Sequence, residues 1–444
     1  MIRALLVWGL AVIWAGPVWV GPVWAGPSWV APVWSGELPA PISDADFEAQ
    51  DPALVKLGQL LFYDPILSGN RNISCATCHH PRFGTGDGLS LGIGEGGVGL
   101  GPERRLDPAN LPEQHIPRNA PALFNLGARE FTVLFHDGRI EVDASKPSGL
   151  RTPLDEEMVQ GFSGLLSAQT MFPVLSPDEM AGHYSENEVA QAVRQGRLTG
   201  PGGAWDLIAQ RVARIPGYAE AFADVGVSEV AFTDVSNAVA AFMAVEWRSD
   251  DSAFDRHLRG EAALEGAAAR GMALFYGAAG CAACHSGAFQ TDHGFHATGV
   301  PQFGPGKAAR FESHRRDLGR ARVTGRDADA YAFRTPSLRN VTLTAPYGHT
   351  GSHADLGAFV AHHADPGVGF DPAAVRLVDV PGRAPLEGLD QAEVLAAVAR
   401  PAVSLEAAQV ADLVAFLGSL TGDLAVTGRL GVPAAVPSGL PVEQ

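Results

Sequence analysis

Cysteine, positive charge and methionine are all scarce in this chain, and each scarcity removes a class of protein. Four cysteines occur in 444 residues, all within two C-x-x-C pairs, so none is left for a disulfide framework. Lysine and arginine number 32 against 49 aspartates and glutamates, a formal net charge of −17. That balance argues against nucleic acid or an anionic membrane surface and favours a basic partner or a small neutral substrate. No methionine follows Met272, so the whole C-terminal part has no thioether to offer a metal. Disorder is not the default either, because 46% hydrophobic content over this length can bury a large core.

The start of the chain reads as an export signal. Arg3 is a short positive start, and the apolar run Ala4 to Ala15 is too short to span a bilayer comfortably. A five-residue repeat comes next, from Gly16 to Ser35 (GPVWV, GPVWA, GPSWV, APVWS), and its prolines forbid a continuous helix. Residues 1–35 are therefore expected to be a leader, ending after Ala25 or Ser35, with the mature protein in the periplasm and without a membrane span. Only Trp205 and Trp247 would remain of the eight tryptophans.

The cysteines decide the chemistry. Cys75 and Cys78 are followed by His79, and Cys281 and Cys284 by His285, giving C-A-T-C-H and C-A-A-C-H. Two thiols three apart can each add to a haem vinyl group, and the adjacent imidazole then serves as proximal iron ligand. A thioredoxin-like motif would want a βαβ setting that the flanks lack, and a four-thiolate zinc site would leave both histidines unexplained. Two covalent haem c groups are the expected cofactors.

Organisation derives from their positions. The motifs are about two hundred residues apart, room for one helical domain each. Apolar periodicity predicts helices at Glu188 to Gly196, Val235 to Trp247, Ala262 to Phe275 and Leu405 to Leu420, the last between a Ser404 N-cap and Gly422. Strand-like alternation is rare. Gly84 to Gly101 and Val300 to Gly306 are expected to be ordered loops around the haems. The fold class is thus all-α, with two cytochrome c-like haem domains at 42–250 and 251–424. A tail at 425–444 is simple in composition and expected to be loose from Gly428.

The strings LFYDPILSGN, CATCHHP, RNAPALFN, FHDGR, SPDEM, CAACH and FRTPSLRNVTLTAPYGHTG, in order between about Leu60 and His363, resemble the bacterial di-haem cytochrome c peroxidase and MauG superfamily. The resemblance implies peroxide chemistry at the haem on Cys75 and Cys78, with electrons entering through the haem on Cys281 and Cys284. Glu95 stands where reductively activated members carry a capping histidine, so the first iron is expected to be open; His80 or His115 are the alternative caps. Glu179 and Gln169 match the family's acid-base glutamate and orienting glutamine, with Pro173 between them; by sequence alone Glu179 would be an ordinary helix-start glutamate beside Ser176.

The same resemblance places His363 as distal ligand of the second haem, where relatives carry tyrosine or methionine. The alternative is that His362 and His363 are a polar helix end. His136 replaces the family's interhaem tryptophan. Asn119, with the backbone carbonyls of Thr344 and Pro346, matches an interhaem calcium site. The expected partners are hydrogen peroxide and a small c-type cytochrome or other redox protein. A MauG-type oxidase acting on a partner protein, or a pure electron carrier with two closed haems, are the other readings.

Overall fold

The computed structural model describes residues 37–183, 186–307, 315–381 and 391–444; the expected leader lies outside them. Seven helices frame the two C-x-x-C-H motifs: α1 (Pro52–Tyr63), α2 (Cys75–Cys78), α3 (Leu165–Thr170), α4 (Phe232–Glu246), α5 (Gly266–Tyr276), α6 (Leu356–Ala364) and α7 (Ala407–Gly418). Strands are short and antiparallel: β1 (Gly97–Val98) with β2 (Arg105–Leu106), then β3 (Val133–Leu134), β4 (Ile140–Val142) and β5 (Leu150–Arg151) in one sheet, then β6 (Phe295–His296) with β7 (Phe333–Arg334). Among the described residues no helix is long and apolar enough to cross a membrane.

One helix pair is built twice. α1 lies against α4 so closely that a Cβ on Gly58 would sit 1.8 Å from the carbonyl oxygen of Ala238 and 2.9 Å from Cβ of Phe242. α5 lies against α7 in the same way, with Gly271 1.9 Å from the Asp412 carbonyl and 2.8 Å from Cβ of Phe416. Only glycine permits such backbone contact. Each first helix ends in Phe-Tyr, and the rings pack on the partner's phenylalanine: Phe62 at 5.4 Å and Tyr63 at 6.1 Å from Phe242, Phe275 at 5.0 Å and Tyr276 at 6.1 Å from Phe416. Each pair nucleates its own hydrophobic core. Burying one such phenylalanine is worth about 1.5–3 kcal/mol, so the glycine contact that lets Phe242 and Phe416 seat is a requirement of each core.

Arg118 ties the two halves together. Its guanidinium donates to Asp317 through Nε (2.6 Å) and Nη2 (2.8 Å), and to Asp137 through Nη1 (2.8 Å), all three side chains being almost fully buried.

Two expectations need correction. The tail is not loose: Val436 is buried in the first core, with Val432, Leu440 and Val442 packed on it. Its polar groups are matched too. The Leu430 and Gly431 amides donate to Glu246 (2.6 and 3.0 Å), Ser438 to Asp64 (2.7 Å), and Thr77 of α2 to Glu443 (2.5 Å). Simple composition hid a strip of apolar side chains that the first core needs. The last long helix is also capped by Glu406, not Ser404, because helical backbone starts only at Ala407. Helix α1 was not foreseen, although Asp51 accepting the Ala53 amide and Pro52 at the first position form a regular start.

Candidate functional site

At the first C-x-x-C-H, α2 is a single turn, so Cys75 and Cys78 fall on one face. All four cysteines of the chain are unpaired and partly exposed. The His79 amide closes the turn on Cys75 (3.0 Å), and its Nδ1 lies 2.9 Å from the Thr85 carbonyl. A carbonyl only accepts, so Nδ1 carries the proton and Nε2 keeps its lone pair for a metal. His285 repeats this, with Nδ1 3.1 Å from the Gln290 carbonyl. Burial lowers the pKa of both rings and favours the neutral form that ligates.

The second centre has a facing ring. His363, near the end of α6, has its centroid 6.1 Å from that of His285, a separation with room for one metal atom between two imidazoles. Burial, then the neighbouring His285, pushes His363 down to about 3, and its buried Nδ1 has no partner. His362 is occupied: Nδ1 lies 2.7 Å from the Val368 carbonyl and Nε2 3.2 Å from that of Gly299. Of the two adjacent histidines, therefore, His363 is the one with a buried nitrogen to spare. Unpaired thiols, oriented proximal rings and this facing imidazole together fit a c-type haem at each motif.

Cys284, Asp292 and His296 bring their ligating atoms within 4.8 Å of one another, which resembles a small metal site. Thioether formation with a haem would consume the Cys284 thiol and leave only the Asp292–His296 pair (2.8 Å).

Around the first centre, Glu179 lies in a one-turn π-type segment, Pro177–Ala181. The preceding glycine-rich loop is laid on it: a Cβ on Gly94 would meet the Asp178 and Glu179 carbonyls at 2.5 Å, and the Glu95 amide donates to Asp178 (3.1 Å). Arg104 clasps that loop, donating to the carbonyls of Ile93, Gly94, Gly97 and Gly99 (2.5, 2.7, 3.0 and 2.5 Å). Burial raises the pKa of Glu179, while Lys307 and Arg139 pull it back. Gln169, on α3, has a buried Oε1 without a partner, and Pro173 opens the next turn. Glu95 is fully buried, its Oε1 accepting from Asn70, Asn72 and Asn110 (2.9, 2.9 and 2.8 Å). His80 accepts the Arg82 amide at Nδ1 (3.2 Å), and His115 places Nε2 2.7 Å from the Val378 carbonyl.

Between the halves, His136 donates from Nε2 to the Asn119 carbonyl (3.2 Å), and burial followed by Arg118 pushes it down to about 4. The Asn119 side chain donates to the Leu89 carbonyl (2.7 Å). Ser90, next in chain, and Pro346 both flank Gly351, at 2.6 and 3.0 Å from its Cβ position, so Pro346 shares the neighbourhood of Asn119. Thr344 bonds its hydroxyl to Val341 (3.0 Å). Sequence reasoning missed Arg118, Arg139 and Lys307; the string F-H-D-G-R held a signal, since Asp137 and Arg139 follow His136 within three residues.

A profile described as "Di-haem cytochrome c peroxidase" matches residues 52–263. The methylamine utilization protein MauG of Methylorubrum extorquens is 33% identical over 317 residues, covering 70% of this chain and 69% of the relative. The cytochrome c551 peroxidase of Nitrosomonas europaea is 30% identical over 305 residues, covering 68% and 70%. The diheme peroxidase BthA of Burkholderia thailandensis superposes with a TM-score of 0.53 at 23% identity, covering 89% of this chain and 91% of that one. A MauG-like protein associated with microbial copper homeostasis does so with 0.53 at 24%, covering 93% and 99%; at such identities the likeness speaks for the fold. The sequence relatives speak for descent, and the chain belongs to the di-haem cytochrome c peroxidase and MauG family, as an oxidoreductase of the peroxidase type.

Proposed function

We propose that this chain is a periplasmic di-haem enzyme that reduces hydrogen peroxide at the centre of His79 and takes up electrons at the centre of His285 and His363. One asymmetry carries the reading. His363 faces His285 across 6.1 Å, whereas among the described residues no imidazole pairs with His79 in this way: His115 is held by Val378, and His80 and Glu95 bond through Nδ1 and Oε1, leaving His80 Nε2 and Glu95 Oε2 buried without a partner. One closed and one open centre suits an enzyme and not a simple carrier.

When bound, haem iron supplies the redox chemistry that turns peroxide, two electrons and two protons into two waters. The chain supplies the proton handling. Glu179, with its raised pKa, takes the proton from the near oxygen of peroxide and returns it to the leaving oxygen. Gln169 orients the ligand through its unpartnered Oε1 or amide. His136, bonded to Asn119, takes the place of the family's interhaem tryptophan in this reading. Asn119 with the Thr344 and Pro346 carbonyls offers oxygen ligands of the kind calcium takes. A small basic c-type cytochrome suits the acidic surface as electron donor. The likeness to MauG favours a second reading, in which side chains of a partner protein supply the electrons.

The deciding experiment is electron paramagnetic resonance of the resting diferric protein, followed by stopped-flow mixing with peroxide. A mixed high-spin and low-spin signal and reaction without prior half-reduction are expected; wholly low-spin spectra would overturn the reading. Adding a reduced small cytochrome separates the two donors, because only a peroxidase oxidises it catalytically.

A further inference from the structure

Arg334, which is only partly exposed, lacks the carboxylate that most of the inward-facing arginines have; Arg400 is like it, bonded to the carbonyls of Ala364 and His363, and Arg104 has Glu443 only at 4.0 Å. Arg118 pairs with Asp137 and Asp317, Arg139 with Asp137, Arg211 with Glu188 and Arg339 with Asp255. Arg334 has no acidic partner among the described residues. Its Nε donates to the Phe135 carbonyl (3.3 Å) and Nη1 to that of Thr335 (3.2 Å), both long contacts, and burial alone moves its pKa, down to about 10. A guanidinium largely withdrawn from water without a counter-charge is costly, and proteins pair such groups. Here the two carbonyl bonds leave Nη2 and one edge of the fork unused, the geometry that takes a carboxylate two-pronged.

Its surroundings say where that carboxylate comes from. Arg334 lies on β7, paired with Phe295 of β6, and the next strand residue, His296, reaches Cys284. Pro336, two residues on, places its carbonyl by His285. On the other side the Arg334 amide donates to the His136 carbonyl (2.8 Å). Aligning Pro121 with Pro336 and Asn125 with Asn340 puts neutral Asn119 at the equivalent place in the first half. The charge is therefore particular to the second half.

We propose that Arg334 is the counter-ion of a propionate on the haem held by Cys281 and Cys284, and that this pairing raises the potential of that haem. The inference rests on the di-haem reading of the two motifs. A positive charge beside a haem disfavours the ferric state, which carries one more positive charge than the ferrous.

The test is a redox titration of the haem-loaded protein, followed in the low-spin visible bands, with resonance Raman of the propionate bending modes. Arg334→Leu is expected to lower the midpoint potential of the low-spin haem and shift its propionate band. Arg334→Lys keeps the charge but not the fork, so it should retain most of the potential while still shifting the band. Arg270→Leu removes an exposed charge paired with Asp412 and should move neither. The proposal is overturned if Arg334→Leu loads both haems with unchanged potential, or if Arg334→Lys leaves the propionate band in place. Should Arg334→Leu fail to mature, the band in Arg334→Lys still decides. Failure of the di-haem reading itself looks different: the unsubstituted chain would carry no covalent haem after expression with the maturation machinery.

Discussion

Asn125 and Asn340 make the same two bonds in different halves of the chain. Both sit in the left-handed conformation, at φ 60° and 62°. The Asn125 amide donates to the Trp247 carbonyl (3.0 Å) and its Oδ1 accepts from the Ser249 amide (2.8 Å). The Asn340 amide donates to the Leu420 carbonyl (3.2 Å) and its Oδ1 accepts from the Gly422 amide (2.9 Å). Each asparagine thus pins the chain just beyond the second helix of its pair. Ser249 joins the two pins, donating its hydroxyl to Asn340 (3.3 Å).

Replacing either asparagine by alanine strands a buried backbone donor and forces a Cβ-bearing residue without local hydrogen bonding into the left-handed region. Asn125→Ala and Asn340→Ala should each lose at least about 1–3 kcal/mol, with the glycine variants falling in between because they recover the backbone but not the bonds. Urea unfolding of the haem-loaded protein measures this. Unchanged midpoints for both alanine variants would show the pins to be ornamental.

His363 and His362 should separate cleanly. His363→Met is expected to raise the potential of the second haem, as methionine-histidine ligation does relative to bis-histidine, and to leave peroxide binding at the first centre intact. His362→Ala should cost stability alone, about 1 kcal/mol for the lost carbonyl contacts. A redox titration in which His362→Ala moves the potential and His363→Met does not would reverse the ligand assignment.

Arg118 carries a pH prediction. Burial opposes ionisation of Asp137 and Asp317, but Arg118 outweighs it and holds both below the usual carboxylate range, Asp317 at about 2. Carboxylates depressed in the folded state stabilise it fully above their unfolded pKa, about 3.9, and that contribution is lost as pH falls toward their folded values. Arg118→Leu should cost about 3–5 kcal/mol at neutral pH, since buried Asp317 loses its partner and buried Asp137 keeps only Arg139. It should also shrink the gap in stability between the two proteins as the medium is acidified below about pH 4. A gap that stays constant down to acid unfolding would mean the pairs contribute no pH dependence.

The haem motifs and the string of family segments were legible because covalent attachment and its flanking turns demand particular residues at fixed spacing. The duplication was not, because so few positions carry it: Gly58 and Gly271, the Phe-Tyr pairs, and Asn125 and Asn340, set at different distances from their C-x-x-C-H motifs. Contacts at a helix crossing constrain one glycine and one phenylalanine, and leave the rest of each helix free to diverge. Burial partners were equally hidden. Nothing in F-R-T-P-S-L marks Arg334 as lacking an acid, and nothing in the tail's valines announces that they complete the core formed around α1 and α4. That His362 is engaged and His363 is not could be seen only from the carbonyls of Gly299 and Val368, which come from outside α6.

Glu179 offers the sharpest test of chemistry. Burial raises its pKa, opposed by Lys307 and Arg139, so the carboxyl stays protonated to higher pH than an exposed glutamate. Accepting the peroxide proton requires the ionised form, and the rate of reaction with peroxide should therefore rise as pH climbs through that raised value. Glu179→Gln removes the titrating group while keeping nearly the same shape, and Gly94 of the loop packed on this turn approaches the Glu179 backbone. Both haems, both spin states and the fold should survive. The peroxide reaction should slow by about 10²–10⁴-fold and lose its pH-dependent limb, whereas Gln169→Ala should cost less, since it removes orientation and no proton transfer. Stopped-flow traces across the pH range decide it: a Glu179→Gln variant with unaltered rate and unaltered pH profile would make this glutamate a structural residue of its turn, and His136 would be the next acid-base group to replace.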